Sequence, residues 1–228
     1  MACPGTTTQR PPARFKGVIF DLDGTLVDSL EDLADSMNGI LERHGFPTHD
    51  LGTYKRFIGR GMRNLVSRAL PPGAGEEMIT LSHGLMLEEY GRNCTNKTRP
   101  YDGIADMLGG LAARGIRMAV FSNKSDELTK KVAEALLWNW RFEALVGSGA
   151  GYPEKPNPSG ALAISRQMGI DPGDIIYAGD SDIDMKTAKN AGMCAVGVLW
   201  GFREKEELLS NGAEHLLAHP ADMLGILG

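Results

Sequence analysis

Cysteine is scarce in this 228-residue sequence, which has three, Cys3, Cys94 and Cys194, placed far apart. An odd number of dispersed cysteines argues against a disulfide framework, and no Cys or His pair has the spacing of zinc ligands. We therefore expect a protein of a reducing compartment, the cytoplasm. Cys194 lies in the apolar run CAVGVLW and is expected to be a small buried hydrophobic residue.

Two other features are missing: long apolar runs and an excess of basic charge. No segment is long enough to span a bilayer, and the N-terminal stretch MACPGTTTQRPPARFKG lacks the apolar part of a secretory signal. The 24 Lys and Arg against 29 Asp and Glu give a net charge of −5, whereas a nucleic-acid surface normally shows a basic excess. We expect neither a membrane nor a nucleic-acid partner, a mobile tail over residues 1–14, and a monomer or a homodimer.

Short apolar runs rich in Val and Ile alternate with segments of helical period. Runs of this length and composition are typical of buried strands, which we predict at 15–23, 115–123, 142–148, 174–182 and 194–200. Helices are predicted between them, at 103–114, 126–138, 159–169 and 183–191. Because such alternation implies right-handed β-α-β crossovers, the sequence predicts an α/β fold with a Rossmann-like parallel sheet.

Residues 29–92 differ from the rest, because they contain helix-period segments without a clear strand. The first segment has apolar residues at helical spacing, namely Leu30, Leu33, Met37, Ile40 and Leu41. A later segment has a second such set, predicted to be buried, namely Met78, Leu81, Leu85 and Met86. We predict a core domain of residues 15–28 and 93–228, into which residues 29–92 are inserted as a helical cap domain.

Polar residues follow the apolar runs at their carboxyl ends. Asp21 and Asp23 follow the first run, Ser122 and Asn123 the second, and Asp180 the fourth. In open α/β sheets, ligands bind at this edge. Asp21 and Asp23 stand two positions apart in FDLDGTLVDS, and like charges held this close repel each other. A bound cation or a reaction would account for such a pair, so we expect a ligand site there.

Four motifs occur in the order FDLDGTLVDS, FSNK, PEKPNP and GDSDID. Together they resemble the motifs of the haloacid dehalogenase-like superfamily of phosphohydrolases, over roughly residues 15–200. The IGRG segment and the VLWGFR segment at 198–203 look like those of its phosphoglycolate phosphatase group, whose members carry a helical cap over the site. Dehalogenases lack the second aspartate of the first motif, so Asp23 favours phosphoryl transfer over carbon–halogen cleavage.

The resemblance implies a role for each motif. Asp21 would attack phosphorus and form an aspartyl-phosphate, while Asp23 would protonate the leaving alcohol and then take a proton from water. Ser122 would bind a phosphate oxygen, and Lys155, rather than Lys124, would be the cation beside the nucleophile and the phosphate. Mg²⁺ is the implied cofactor, a cation that prefers hard oxygen ligands. Its implied ligands are Asp21, the backbone carbonyl of Asp23, Asp180 and Asp184.

Substrate contacts are predicted from the turn after the first strand, from the end of the second predicted strand and from a loop of the cap. The predicted residues are Gly24, Thr25, Asn123, Gly59, Arg60 and Gly61. Gly24 permits a close approach of the backbone to the phosphate. Arg60 would bind a substrate carboxylate or a second anionic group, with an exposed arginine in an interhelical turn as the equal alternative. Asp182 is the less favoured metal ligand and is expected to be exposed to solvent.

The leading functional prediction is a Mg²⁺-dependent phosphatase of a small phosphate monoester, with 2-phosphoglycolate as the best candidate. Relatives that share the core motifs leave two enzymatic alternatives open, a phosphomutase of a sugar phosphate and a pyrophosphatase. A signalling receiver that carries a phosphorylated aspartate is the alternative outside enzymes. The second aspartate and the large helical insert argue against that receiver.

Overall fold

The computed structural model of this chain describes residues 14–228. The predicted tail, apart from Arg14, therefore lies outside the described residues. Arg14 itself is hydrogen-bonded to the C-terminal segment: its backbone N–H donates to the carbonyl of Leu227 at 2.8 Å.

A six-stranded sheet forms the centre of the fold, in the order β5-β4-β1-β6-β7-β8. Each neighbouring pair is parallel, which confirms the predicted Rossmann-like α/β architecture. The strands are β1 Gly17–Phe20, β4 Arg117–Ser125, β5 Leu145–Ser148, β6 Ile175–Gly179, β7 Cys194–Val198 and β8 His215–Leu217. The sequence predicted five of them, and the edge strand β8 is an addition. Its three residues are too few to give a recognisable pattern.

Helices cover the sheet on both faces. Side chains alternate along each strand, so Val18 and Phe20 pack into one hydrophobic cluster and Ile19 into another. The core helices are α5 Ile104–Ala113, α6 Asp126–Leu136, α7 Ser159–Met168, α8 Asp182–Ala191 and α9 Lys205–Ser210. The first four lie within two residues of their predicted bounds. Within residues 14–228, no helix combines the length and apolar character needed to cross a membrane.

A helical insert, residues 30–93, lies between the first strand and the rest of the sheet. It contains α1 Leu30–Arg43, α2 Leu51–Phe57, α3 Met62–Ala69 and α4 Glu76–Asn93. The chain enters and leaves the insert through an antiparallel pair, β2 Val27–Asp28 and β3 Arg99–Pro100. One prediction for this segment is wrong: Leu81 is 52% exposed, whereas Met86 is fully buried. Helical spacing places both residues on the same side of α4, but the neighbouring helices cover only part of that side.

Candidate active site

Asp21 continues directly from β1 and is buried at the carboxyl edge of the sheet. Its backbone N–H donates to the carbonyl of Ala178 on β6, at 2.9 Å. Its carboxylate Oδ1 lies 2.8 Å from the Nζ of Lys155. Burial raises the pKa of Asp21 to about 6, and the charges of Asp184 and Asp23 add to this, while the Lys155 ammonium opposes it. The strand thus presents a carboxylate in an environment that disfavours its charge.

Two further aspartates complete an acidic cluster around Asp21. Asp180 follows β6, and Asp184 lies in the first turn of α8. One carboxylate oxygen from each of the three residues lies within 4.8 Å of the other two. Burial raises the pKa of Asp180 well above its usual value, and the charges of Asp184 and Asp21 act in the same direction. Three buried carboxylates this close together repel one another unless a proton or a cation offsets their charge.

The oxygens of the cluster fit a small, hard cation such as Mg²⁺. Oδ1 of Asp21 is buried and accepts no hydrogen bond from the described residues, although Lys155 lies beside it. Space for the cluster depends on glycines, because a Cβ atom at Gly24 or Gly201 would collide with the side chain of Asp180. Gly24 also has a φ of 84°, a conformation that favours glycine. The donor set is the hard oxygen type that Mg²⁺ prefers.

Asp184 is held more tightly than the other two carboxylates. Its Oδ2 accepts hydrogen bonds from the backbone N–H and the hydroxyl of Ser181, at 3.1 and 2.6 Å. Its Oδ1 accepts one from the Nζ of Lys155, at 2.7 Å. Because both oxygens are engaged, Asp184 orients Lys155 and the start of α8 in addition to adding negative charge.

Lys155 lies in the loop between β5 and α7, and its side chain is 1% exposed. Asn123, at the end of β4, fixes this loop: its Oδ1 accepts from the backbone N–H of Lys155 at 2.8 Å, and its Nδ2 donates to the Lys155 carbonyl at 3.2 Å. Burial lowers the pKa of Lys155, but the attraction of Asp184 and Asp21 outweighs it, so the pKa stays well above its usual value. The lysine is therefore a fixed cation beside Asp21.

Asp23 is bound to a different lysine, Lys124. Nζ of Lys124 donates to both carboxylate oxygens of Asp23, at 2.8 and 2.9 Å, and to the hydroxyl of Tyr90 on α4, at 2.7 Å. The motif resemblance favoured Lys155 over Lys124, and Tyr90 was not among the predicted site residues. The signal for Lys124 was its position directly after the Ser122–Asn123 pair, but nothing in the sequence shows which way a side chain points at a strand end.

The core and the helical insert enclose a cleft in front of these groups. It contains about 430 Å³ of empty space, a volume that includes its open mouth. The core side of the cleft is polar and is lined by Asp21, Asp23, Ser122, Asn123 and Lys124. The insert side consists of glycine and apolar residues, namely Leu33, Ile58, Gly59, Gly61, Met62 and Leu65.

Two predicted phosphate-binding hydroxyls lie at this edge of the sheet. Ser122 is buried, and its Oγ accepts a long hydrogen bond of 3.3 Å from the backbone N–H of Lys124. Its hydroxyl proton is therefore available to an acceptor. Thr25 is also buried, and its Oγ1 has no hydrogen-bond partner among the described residues. A buried hydroxyl without a partner is unusual in a folded protein and is consistent with a ligand site.

Arg60 contacts the core rather than the cleft. Its guanidinium, on a side chain 49% exposed, lies 2.9 Å from Oδ2 of Asp182. Asp182 is buried and also accepts from Lys186 at 2.7 Å, so the expectation that Asp182 is exposed was wrong. Arg203, after β7, holds the same loop of the insert, because its guanidinium donates to the carbonyl of Ile58 at 2.6 Å and to that of Lys55. The loop is thus anchored to the core from two sides.

Comparisons with known proteins identify relatives along most of the chain. A family model described as haloacid dehalogenase-like hydrolase matches residues 18–198. A phosphoglycolate phosphatase of Aquifex aeolicus is 30% identical over 210 residues, which are 92% of this chain and 95% of that protein. An N-acetylmuramic acid 6-phosphate phosphatase of Pseudomonas aeruginosa is 27% identical over 94% of this chain and 95% of its own. A crystal structure of a predicted phosphoglycolate phosphatase from Haemophilus somnus superposes with a TM-score of 0.88, at 28% identity, over 94% of this chain and 99% of that one.

Proposed function

The chain belongs to the haloacid dehalogenase-like hydrolases, and on that premise we propose that it is a Mg²⁺-dependent phosphatase whose substrate is 2-phosphoglycolate. One observation carries the proposal: the carboxylate of Asp21 faces a cleft and is paired with Lys155 beside Asp180 and Asp184. A carboxylate of this kind can serve as a nucleophile toward phosphorus.

The proposed metal site consists of the carboxylates of Asp21, Asp180 and Asp184 and the backbone carbonyl of Asp23. When bound there, Mg²⁺ would offset the mutual repulsion of the carboxylates and polarise an oxygen of the phosphoryl group. The buried positions of the three aspartates support this assignment. Lys155 would neutralise part of the remaining charge, so that a dianionic phosphate can approach Asp21.

The proposed reaction has two displacements at phosphorus. In the first, a carboxylate oxygen of Asp21 forms a bond to phosphorus, the bond to the ester oxygen breaks, and Asp23 gives its proton to the leaving alcohol. In the second, Asp23 takes a proton from a water molecule, whose oxygen attacks the aspartyl-phosphate and releases inorganic phosphate and the Asp21 carboxylate. Ser122 and Lys155 hold phosphate oxygens in both steps. Proton transfer by a positioned carboxyl group contributes roughly 10²- to 10⁴-fold in rate.

The lining of the cleft supports a small substrate. A sugar phosphate brings several hydroxyls that lose hydrogen bonds to water unless the site replaces them. The insert offers the apolar side chains of Leu33, Met62 and Leu65 at that position. The relatives named as phosphoglycolate phosphatases support the same choice. Arg60 is the proposed partner of the substrate carboxylate. To bind it, Arg60 would leave its present ion pair with Asp182.

A hydrolysis screen tests this proposal. Phosphate release is measured with Mg²⁺ for 2-phosphoglycolate, N-acetylmuramic acid 6-phosphate, pyrophosphate and glucose 1-phosphate, the last also assayed for isomerisation. We expect the highest kcat/KM for 2-phosphoglycolate and loss of activity in Asp21→Asn and after chelation. A preference for the second compound would assign the activity of the Pseudomonas aeruginosa relative. Isomerisation without phosphate release would identify a mutase, and a phosphorylated Asp21 that persists for minutes would identify a receiver.

The proposed setting follows from the proposed substrate. The proposed partner is a small phosphorylated metabolite, and the proposed location of the protein is the cytoplasm. No nucleic acid takes part in the proposed reaction. All the groups named above come from one chain, so a monomer would suffice for activity. Light scattering distinguishes a monomer from a homodimer.

A further inference from the structure

Lys124 differs from the other lysine of the site in where its hydrogen bonds go. An ammonium group has three N–H donors. In Lys124 they point to three acceptors, the two carboxylate oxygens of Asp23 and the hydroxyl of Tyr90, at 2.8, 2.9 and 2.7 Å. Every donor is used. Although Lys124 lines the cleft, it could bind a substrate only by giving up one of these partners.

The surroundings of Lys124 hold it in this arrangement. Its side chain is 2% exposed, so its ammonium depends on protein partners in place of water. Its Nζ also lies 4.5 Å from the centre of the Tyr90 ring, within the range of a cation–π contact. Tyr90 is fully buried on α4. The lysine is therefore fixed between the core and the helical insert.

Asp23, in contrast, can still accept hydrogen bonds from groups in the cleft. A carboxylate has about four lone-pair sites, and Lys124 occupies one on each oxygen. The side chain of Asp23 is 12% exposed, and it lines the cleft. The unoccupied sites are thus available to a proton or to a leaving oxygen, in an orientation that the two bonds from Lys124 determine.

We propose that Lys124 and Tyr90 form a clamp that fixes the orientation of the Asp23 carboxylate for its proton transfers. The proposal rests on the proposed function. Lys124 is a positioning residue: the proton moves between Asp23 and the leaving alcohol or the water, and Lys124 neither gives nor takes one. Displacing a catalytic group by about 1 Å can lower a rate on the order of 100-fold. The clamp therefore affects turnover more than substrate binding.

Lys124→Met tests the clamp, with Lys130→Met as the matched control on the exposed side of α6. We expect Lys124→Met to lower kcat for 2-phosphoglycolate roughly 100-fold and to change KM less than about twofold. The loss should be smaller for formation of the aspartyl-phosphate from p-nitrophenyl phosphate, whose leaving group needs no proton. That step is followed as the burst of nitrophenol before steady state. Lys130→Met should behave as wild type.

A double-mutant cycle separates positioning from a general structural effect. In an Asp23→Asn background, Lys124→Met should lower kcat by less than about twofold, because the group that it positions is already gone. Tyr90→Phe removes one acceptor and keeps the ring. It should lower kcat in the wild-type background and leave Asp23→Asn unchanged, and it serves as the test if Lys124→Met does not fold.

Several outcomes would overturn the clamp. Equal losses with both esters would point to a general structural effect, and a raised KM with unchanged kcat would make Lys124 a substrate ligand. If Lys124→Met lowers kcat in the Asp23→Asn background as much as it does in the wild type, Lys124 acts independently of Asp23. If the wild-type protein releases phosphate from no ester, the proposed function fails and the clamp fails with it. An active wild type with additive effects rejects the clamp alone.

Discussion

Asp32 and Thr98 are 66 positions apart in the chain, yet one carboxylate oxygen of Asp32 accepts both the backbone N–H and the hydroxyl of Thr98, at 2.8 and 2.7 Å. The same carboxylate accepts the backbone N–H of Lys97 at 3.0 Å. Asp32 lies at the start of the helical insert, and Thr98 lies just after its end. A single buried carboxylate thus ties together the two chain segments that join the insert to the core, next to the short β2–β3 pair.

Replacing Asp32 should destabilise this junction. Asp32→Ala leaves the backbone N–H and the hydroxyl of the buried Thr98 without an acceptor, and each such group costs about 1–3 kcal/mol. We expect the free energy of unfolding in urea to fall by about 3 kcal/mol. Asp35→Ala is the matched control, because Asp35 is an exposed partner of Lys97 and exposed ion pairs contribute about 0–1 kcal/mol. Equal losses in the two variants would contradict the role given to Asp32.

Mg²⁺ should stabilise the folded protein through Asp180. A ligand that binds only the folded state adds about 2.7 kcal/mol at a concentration 100 times its Kd. We expect Mg²⁺ to raise the melting temperature of the wild type, measured by calorimetry, and to have no such effect on Asp180→Asn. Asp182→Asn, two positions away and outside the acidic cluster, should keep the full response. A response that Asp180→Asn retains would place the cation elsewhere.

Gly201 should be intolerant of a side chain. A Cβ atom there would overlap the side chain of Asp180 and the carbonyl of Gly24, and overpacking of this kind costs about 1–3 kcal/mol. Gly201→Ala should lower both stability and phosphate release. Gly109→Ala is the control, since a Cβ at this position of α5 meets no atom within 4 Å. It should raise the free energy of unfolding by about 0.5–1 kcal/mol.

The buried thiols should react slowly and with a defined dependence on pH. Burial raises the pKa of Cys194 to about 11, with a smaller contribution from the charge of Glu214, and burial also raises the pKa of Cys94. Only the thiolate reacts, so in a Cys3→Ser variant the rate with a disulfide reagent should rise about tenfold per pH unit between pH 7 and 9, without a plateau. Rapid reaction at pH 7 in the native protein would contradict the burial of these residues.

The raised pKa of Cys194 also predicts that the folded protein becomes less stable at alkaline pH, even though the thiol reacts faster there. A thiol whose pKa is higher in the folded state than its usual value near 9 holds its proton more tightly when folded. The folded state is therefore at no disadvantage below pH 9, and the free energy of unfolding falls as pH rises from about 9 toward 11. Cys194→Ala should reduce this fall, as measured by urea denaturation at several pH values.

Arg60 should discriminate between substrates that carry a carboxylate and those that do not. Loss of a charge-assisted hydrogen bond costs about 1.5–3 kcal/mol, so Arg60→Ala should lower kcat/KM for 2-phosphoglycolate by roughly 10- to 100-fold. The value for ethyl phosphate should be nearly unchanged. Lys55→Ala, on the preceding helix α2, provides the control for a general loss of basic charge. Equal effects on the two esters would leave Arg60 as an anchor to Asp182 only.

The sheet and its acidic edge could be predicted because their signals are local. A run such as Val18–Phe20 is apolar on both faces, and Asp21 follows it directly. Once the strands are parallel, their carboxyl ends must share one edge, so Asp21, Asn123 and Asp180 meet without further information. The strand β8 was not predicted because three residues are too few to show an alternating pattern. It forms by pairing with the edge of β7.

The misjudged residues depend on contacts between distant segments. Asp182 is buried because Arg60, 122 positions earlier, reaches it from the insert. Leu81 is exposed because neighbouring helices cover only part of α4, which the spacing within α4 cannot show. Lys124 stands beside Ser122 and Asn123 in the sequence, but its pairing with Asp23 and Tyr90 joins three separate elements.

By itself, then, the sequence determined which carboxylates stand at the strand ends and that a parallel sheet would gather them, since periodicity and strand direction are properties of the chain. Which lysine faces which aspartate was decided only by the tertiary structure. Each buried ammonium pairs with the oxygen atoms that packing brings within about 3 Å of it, those of Asp21 and Asp184 for Lys155 and those of Asp23 and Tyr90 for Lys124.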